Sequence, residues 1–302
     1  MKIVTDEQDV ITRIVRWASV AEAVRAVALD GSRANPRASL DSLSDYDIML
    51  IVADNDWIAD GEDWVGGFGV PLLRAQDRGL QDGIETLSCM VLYDEGAKID
   101  YSVWPVALAE RIGETGTLPP DLDLGYRVLL DKDGVTANWP LPTQTAYRPT
   151  KPSAQEYQAL IEEVWWVATY VAKYLWREEL LTAKVILDYE LKYLLLRTLL
   201  DWRIASGRQW SVASGFFARG LQRYLDDATW ARLAATYTGL GREENWAALF
   251  ATVDLCRDVA HDVGRHLGYE YPQDLDETMT AYLCQIQRLT SDGTMTRTFE
   301  EQ

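Results

Sequence analysis

The order of apolar and polar positions changes rhythm once along the chain. In the first part, apolar runs of strand length alternate with polar segments rich in glycine and aspartate. After a cluster of prolines the period becomes helical and stays so. Val10, Ile11, Ile14, Val15 and Ala18 fall at helical spacing and predict an amphipathic opening helix, preceded by Thr5-Asp6-Glu7-Gln8 in the form of a capping box. Residues 24–29 and the run Ile48-Met49-Leu50-Ile51-Val52 predict two strands. Residues 86–93 and 98–104 predict two more, joined at Asp94-Glu95-Gly96 as a hairpin. Residues 54–69 carry Trp57, Trp64 and Phe68 without a clear period, and Tyr126-Arg127-Val128-Leu129-Leu130 is one further apolar piece.

Four of the ten prolines, Pro140, Pro142, Pro149 and Pro152, fall between residues 139 and 152. Proline supplies no backbone donor and resists helix, so this density predicts a linker. Ser153-Ala154-Gln155-Glu156 then forms a second capping box, and helical periodicity runs to about residue 288. The fold class expected is α+β: a mixed-sheet domain over 1–138, a proline-rich linker over 139–152, and a helical bundle over 153–302.

The chemistry gathers where the first two strands end. Gly31 has no Cβ, so the backbone turns tightly there and a ligand can approach closely. Ser32 offers a hydroxyl and an N–H to a phosphate oxygen. Asp45 and Asp47 open the second strand; side chains two apart on a strand share a face, with backbones roughly 6.5–7 Å apart. Two convergent carboxylates repel unless a cation lies between them, and Mg²⁺ takes carboxylate and phosphate oxygens. Asp100, on the second hairpin strand, is expected beside them as a third carboxylate.

Gly-Ser, then Asp-x-Asp, then a lone Asp on a later strand resembles the nucleotidyltransferase superfamily. Leu29-Asp30-Gly31-Ser32-Arg33-Ala34-Asn35-Pro36 with Asp45-Tyr46-Asp47-Ile48 is similar to the aminoglycoside 6-adenylyltransferases, which modify streptomycin. The likeness continues through Lys98-Ile99-Asp100, Lys151-Pro152-Ser153, Trp165-Trp166-Val167 and Leu175-Trp176-Arg177-Glu178-Glu179, and on to Leu267-Gly268-Tyr269-Glu270-Tyr271-Pro272. The resemblance implies a polymerase-β-like catalytic domain and transfer of AMP from ATP to the streptomycin 6-hydroxyl. It also implies Mg²⁺ held by Asp45, Asp47 and Asp100. In one place the chain departs from the family pattern: where that reads Ser-Val-Gly-Lys, Ser211-Val212 runs into Ala213-Ser214-Gly215 with no lysine.

On this reading Gly31, Ser32 and Arg33 are candidate phosphate contacts. Lys173, Arg177 and Lys184, spaced to share a helical face, are candidates to hold triphosphate oxygens; a solvated face paired with acidic neighbours is their alternative. Glu179, with Asp188 behind it, is the candidate carboxylate for a guanidinium substrate, and Trp176 a candidate cation–π partner. Aromatics at helical spacing more often build a core than a ligand platform. His261 and His266 have no third ligand near them in the sequence and read as structural.

A net charge of −18 argues against a nucleic-acid partner, whose backbone needs a basic surface, and suits a cationic small molecule. Without eighteen consecutive apolar residues no membrane span is expected. Cys89, Cys256 and Cys284 have no metal spacing and suit a reducing cytoplasm. Adenylylation of a lincosamide or another aminoglycoside is the nearest rival reading, and a protein or antitoxin-type partner is the more distant one.

Overall fold

The computed structural model describes residues 7–53 and 64–289. Thr5, Asp6 and Trp57 lie outside these, so the first capping box is not described. The chain forms two compact units, 1–146 and 147–302.

The first unit is built on six strands in the order β3-β4-β5-β2-β1-β6. These are β1 (Val24–Asp30), β2 (Tyr46–Val52), β3 (Pro71–Gln81), β4 (Ile84–Tyr93), β5 (Lys98–Pro105) and β6 (Arg127–Asp131). β2 and β5 run parallel and every other pair is antiparallel, so the sheet is mixed. β1 and β2, adjacent in the sheet, are buried on both faces. On one face Val27, Leu29, Ile48 and Leu50 pack with Ile14 and Ala18 of helix α1 (Glu7–Val20) and with Trp64 and Phe68. On the other, Ala26, Ala28, Met49 and Ile51 meet Ala109, Ile112, Leu122 and Trp139. β4 alternates, with Leu87, Cys89, Val91 and Tyr93 inward, which is the pattern of a half-buried strand.

The second unit is helical, through Ala154–Trp176, Leu180–Ser206, Arg242–Leu267 and Gln273–Arg288. Its capping box is formed: the Glu156 N–H donates to Ser153 Oγ at 3.2 Å, and the Ser153 N–H to Glu156 Oε2 at 2.7 Å. The central stretch Ile186–Leu196 is wound as a π-helix. Tyr157, Trp165 and Trp246 are core residues, whereas Trp166 and Tyr189 face solvent, so the aromatic run divides between core and surface. His261 lies against the Tyr271 ring, and His266 Nδ1 is 2.8 Å from the Asp262 carbonyl. Among the described residues, no helix is long and apolar enough to cross a membrane.

Much of the proline-rich stretch is bound to the first unit. The Trp139 indole N–H donates to the Ala109 carbonyl at 2.8 Å. The Asp123 carboxylate accepts the N–H groups of Thr143, Thr145 and Ala146 and the Thr143 hydroxyl, at 2.6–2.9 Å. Although burial opposes its charge, these donors hold Asp123 down at about 2.

Candidate active site

The sheet register assembles the site. In the parallel pair, Asp47 of β2 lies opposite Asp100 of β5; in the antiparallel pair it lies opposite Asp30, the last residue of β1. Asp45 enters β2 two residues before Asp47, on the same face. The carboxylate oxygens of Asp45, Asp47 and Asp100 come within 4.8 Å of one another, as the alternation of strand side chains predicts.

Directly after β1 the chain makes a short helical turn, α2 (Gly31–Ala34), entered through Gly31 at φ +61°. A Cβ there would lie 1.9 Å from Asp47 Oδ2, so only glycine lets the turn close on this carboxylate. The Ser32 N–H donates to Asp47, and the Ser32 hydroxyl is buried without a hydrogen-bond partner. Burial first, and then the charges of Asp45 and Asp100, raise Asp47 to about 6; Lys98 and the Ser32 N–H oppose the rise. Asp30 is raised further, to about 8, by burial and then by Asp47 and Asp121.

Lys98 is the cation inside the cluster. Its ammonium donates to Asp45 Oδ2 at 2.9 Å and to Asp100 Oδ2 at 2.6 Å. Desolvation lowers the Lys98 value, but bonding to Asp100 and Asp45 outweighs it and the net change is upward. The other Asp100 oxygen, Oδ1, is buried with no partner. Three crowded carboxylates, one buried oxygen lacking a donor and an all-oxygen donor set fit a hard divalent cation such as Mg²⁺.

Arg33, a candidate phosphate contact, is held by the chain itself. Its guanidinium donates to the Asp45 carbonyl at 2.9 Å, the Ser44 carbonyl at 2.8 Å and Glu7 Oε2 at 3.0 Å, and it covers the Tyr46 ring at 3.8 Å. Through the two carbonyls it clasps the loop that delivers Asp45.

The family described as streptomycin adenylyltransferase matches residues 4–286. The chain belongs to that family. Streptomycin adenylyltransferase family members are nucleotidyltransferases, so the carboxylate cluster sits in an enzyme of that class. An aminoglycoside 6-adenylyltransferase of Bacillus subtilis (strain 168) is 31% identical over 280 residues, 91% of this chain and 96% of the relative. One of Campylobacter jejuni is 28% identical over 280 residues, 92% and 94% of the two chains. A crystal structure of an aminoglycoside 6-adenyltransferase from Bacillus subtilis, 27% identical, covers 95% of this chain and 100% of its own, with a TM-score of 0.45.

The remaining candidates of this family member lie in the helical unit. Lys184 donates to the Thr238 carbonyl at 2.8 Å and pairs with Asp188 at 2.7 Å; Lys192, also at 2.7 Å, takes the other Asp188 oxygen. Lys184 and Asp188 are thus a clasp between the π-helical turn and residues 236–238. Lys173 lies 4.6 and 4.5 Å from the Tyr170 and Tyr174 ring centres. Arg177 and Glu179 are exposed at the junction of two helices, with no side-chain partner among the described residues. The Trp176 indole N–H donates to the Leu289 carbonyl at 3.3 Å. Ser214, in the segment that lacks the family lysine, is buried.

Sequence reasoning left Lys98 and Asp30 without roles. The signal for Lys98 was its spacing: two residues before Asp100 on one strand, it has to share that residue's face.

Proposed function

We propose that the protein is an ATP- and Mg²⁺-dependent aminoglycoside adenylyltransferase that transfers AMP to the 6-hydroxyl of streptomycin. The observation that carries this reading is the convergence of Asp45, Asp47 and Asp100 within 4.8 Å, in a chain that matches its family over residues 4–286. The drug hydroxyl attacks the α-phosphorus; an O–P bond forms, the bond to the bridging oxygen breaks, and pyrophosphate leaves. Asp45, Asp47 and Asp100 would hold Mg²⁺, which when bound supplies positive charge to the triphosphate and orients it. Asp100, with Oδ1 unpartnered, takes the proton of the attacking hydroxyl. The free Ser32 hydroxyl donates to a phosphate oxygen, and the Gly31 turn keeps Asp47 in place.

Streptomycin carries two guanidinium groups on the ring that bears the reactive hydroxyl, and guanidinium pairs bidentately with carboxylate. Glu179, exposed and unpaired, is the helical unit's candidate for one of them; the Trp176 ring adds a cation–π contact of about 0.5–2 kcal/mol. Lys173 and Arg177 are the remaining candidates for triphosphate oxygens. Three free thiols, two of them buried, suit a cytoplasmic enzyme. The test is incubation of streptomycin with protein, ATP and Mg²⁺, followed by mass and NMR analysis. Unmodified drug, or AMP on another oxygen, refutes the reading.

A further inference from the structure

We propose that Lys98 is a built-in counter-ion of the carboxylate triad, one that a divalent cation displaces and that then meets the phosphate oxygens of the nucleotide. The inference rests on the triad being a metal site, and it gives Lys98 a positioning role beside it.

Backbone register puts the ammonium there. Tyr46 pairs with Ile99 in the parallel β2–β5 ladder, so the preceding residues, Asp45 and Lys98, are neighbours across the two strands. Asp100 follows Lys98 by two positions and lies on the same face of β5. The ammonium therefore reaches both carboxylates at once, at 2.9 and 2.6 Å.

Those two oxygens, Asp45 Oδ2 and Asp100 Oδ2, belong to carboxylates that a metal would need. Mg²⁺ binds oxygen at roughly 2.0–2.1 Å, well inside the ammonium distances, so both cations compete for the same lone pairs. Formal charge shows why both are retained. Three carboxylates against one ammonium leave two negative charges, and one divalent cation cancels them. Without the metal, Lys98 limits the repulsion; with it, the lysine carries the charge that the incoming triphosphate answers.

Its stem permits the exchange. The side chain is 44% exposed, and lysine presents a point charge on four flexible carbons, whereas the guanidinium of Arg33 is locked by three hydrogen-bonding partners. Lys98 can leave Asp45 and Asp100 without disturbing the core beneath β5, where Ile99 and Tyr101 point the other way and are buried.

The test uses the full chain and two binding readouts, neither of which involves antibiotic. Mn²⁺ is titrated into wild type, Lys98→Met, Lys98→Gln and Lys98→Arg without nucleotide, and free Mn²⁺ is read by electron paramagnetic resonance. Removing a competing charge should tighten Mn²⁺ about tenfold in the Met and Gln variants, while Lys98→Arg stays near wild type. At saturating Mg²⁺, the affinity for α,β-methylene ATP should fall about tenfold in Lys98→Met and recover in Lys98→Arg. Circular dichroism checks folding, and the Gln variant serves if the Met variant does not fold. Mn²⁺ affinity that is unchanged or weaker in a folded neutral variant overturns the proposal, as does undetectable Mn²⁺ binding in every protein. Unchanged analogue affinity overturns the handover to phosphate. Should streptomycin not be the substrate, both readouts keep their meaning.

Discussion

Replacing Gly31 by alanine perturbs the site through one methyl group whose surroundings are known. The residue sits at φ +61°, where an L side chain costs about 1–2 kcal/mol. The new Cβ would lie 1.9 Å from Asp47 Oδ2, 2.5 Å from Cγ and 3.0 Å from Cβ, and real Cβ contacts essentially never fall below 3.0 Å. The carboxylate must therefore retreat by about 1 Å, twice the roughly 0.5 Å within which a productive site is held. A displacement of that size costs about 100-fold in rate, and crowding with strain costs about 2–4 kcal/mol of stability. Steady-state transfer to streptomycin, followed by pyrophosphate release, measures the first; urea unfolding in EDTA measures the second. A double-mutant cycle with Asp47→Ala isolates the cause, because removing the carboxylate leaves only the 3.0 Å contact and the backbone strain. The stability cost of Gly31→Ala should then fall to about 1–2 kcal/mol. The reasoning fails if Gly31→Ala retains kcat within threefold of wild type, or if its stability cost is the same in both backgrounds.

Asp47→Asn should abolish transfer while leaving a folded protein that, in EDTA at pH 8, is more stable than wild type. The raised values of Asp47 and Asp30 set the sign: their contribution to stability is complete below about pH 4 and is lost as pH rises through about 6 and about 8. Urea unfolding of the metal-free protein from pH 4 to 9 should show that decline and its flattening in Asp30→Asn, with about 1.4 kcal/mol at stake per pH unit between folded and unfolded values. For Asp100→Asn, kcat should drop about 10²–10⁴-fold, more than the KM for ATP rises; a loss that falls mainly on Mg²⁺ or ATP affinity would leave Asp100 its ligand role and refute its role as the base. Asp123→Ala should destabilise the first unit by about 2–3 kcal/mol at pH 7, and the difference should vanish as pH falls from about 4 through about 2. An unchanged urea midpoint would refute the anchoring of residues 143–146.

The parts of the fold that bury something were legible. β1, β2, β4 and β5 each leave a row of apolar residues because a core receives them, and the Asp45/Asp47 alternation is the same period seen at the strand's mouth. β3 left no such row. It is exposed along nearly its whole length and held by backbone pairing to β4, so hydrophobic periodicity has nothing to report. Its signal was a turn: Asp82-Gly83, with both residues at positive φ between Gln81 and Ile84, is the dipeptide that two-residue hairpins favour. Pro140 and Pro142 suggested a linker by composition, yet Trp139 and the Asp123 carboxylate bind that segment to the first unit. Composition describes what a backbone resists, and these bonds depend on partners some twenty to thirty residues away.

Charged residues show the same division more sharply. Asp45 and Asp47 were readable from strand alternation, and Asp100 from the Asp-x-Asp and later Asp pattern that the chain shares with nucleotidyltransferases. Arg33, Lys184 and Asp188 have the residue types of a phosphate or guanidinium site, but their partners are loop carbonyls and one another. No spacing rule announces that Ser44 and Asp45 fold back on Arg33, or that Thr236 and Thr238 come down on the π-helical turn. Asp30 is the instructive case between these. It follows an apolar strand and looks like a capping or turn residue; only its pairing opposite Asp47 reveals a fourth carboxylate pressed against the triad. Burying it there weakens the metal-free protein as pH rises towards 8. A cation bound at the triad would relieve the same crowding. Lys98 holds the triad together in the interval.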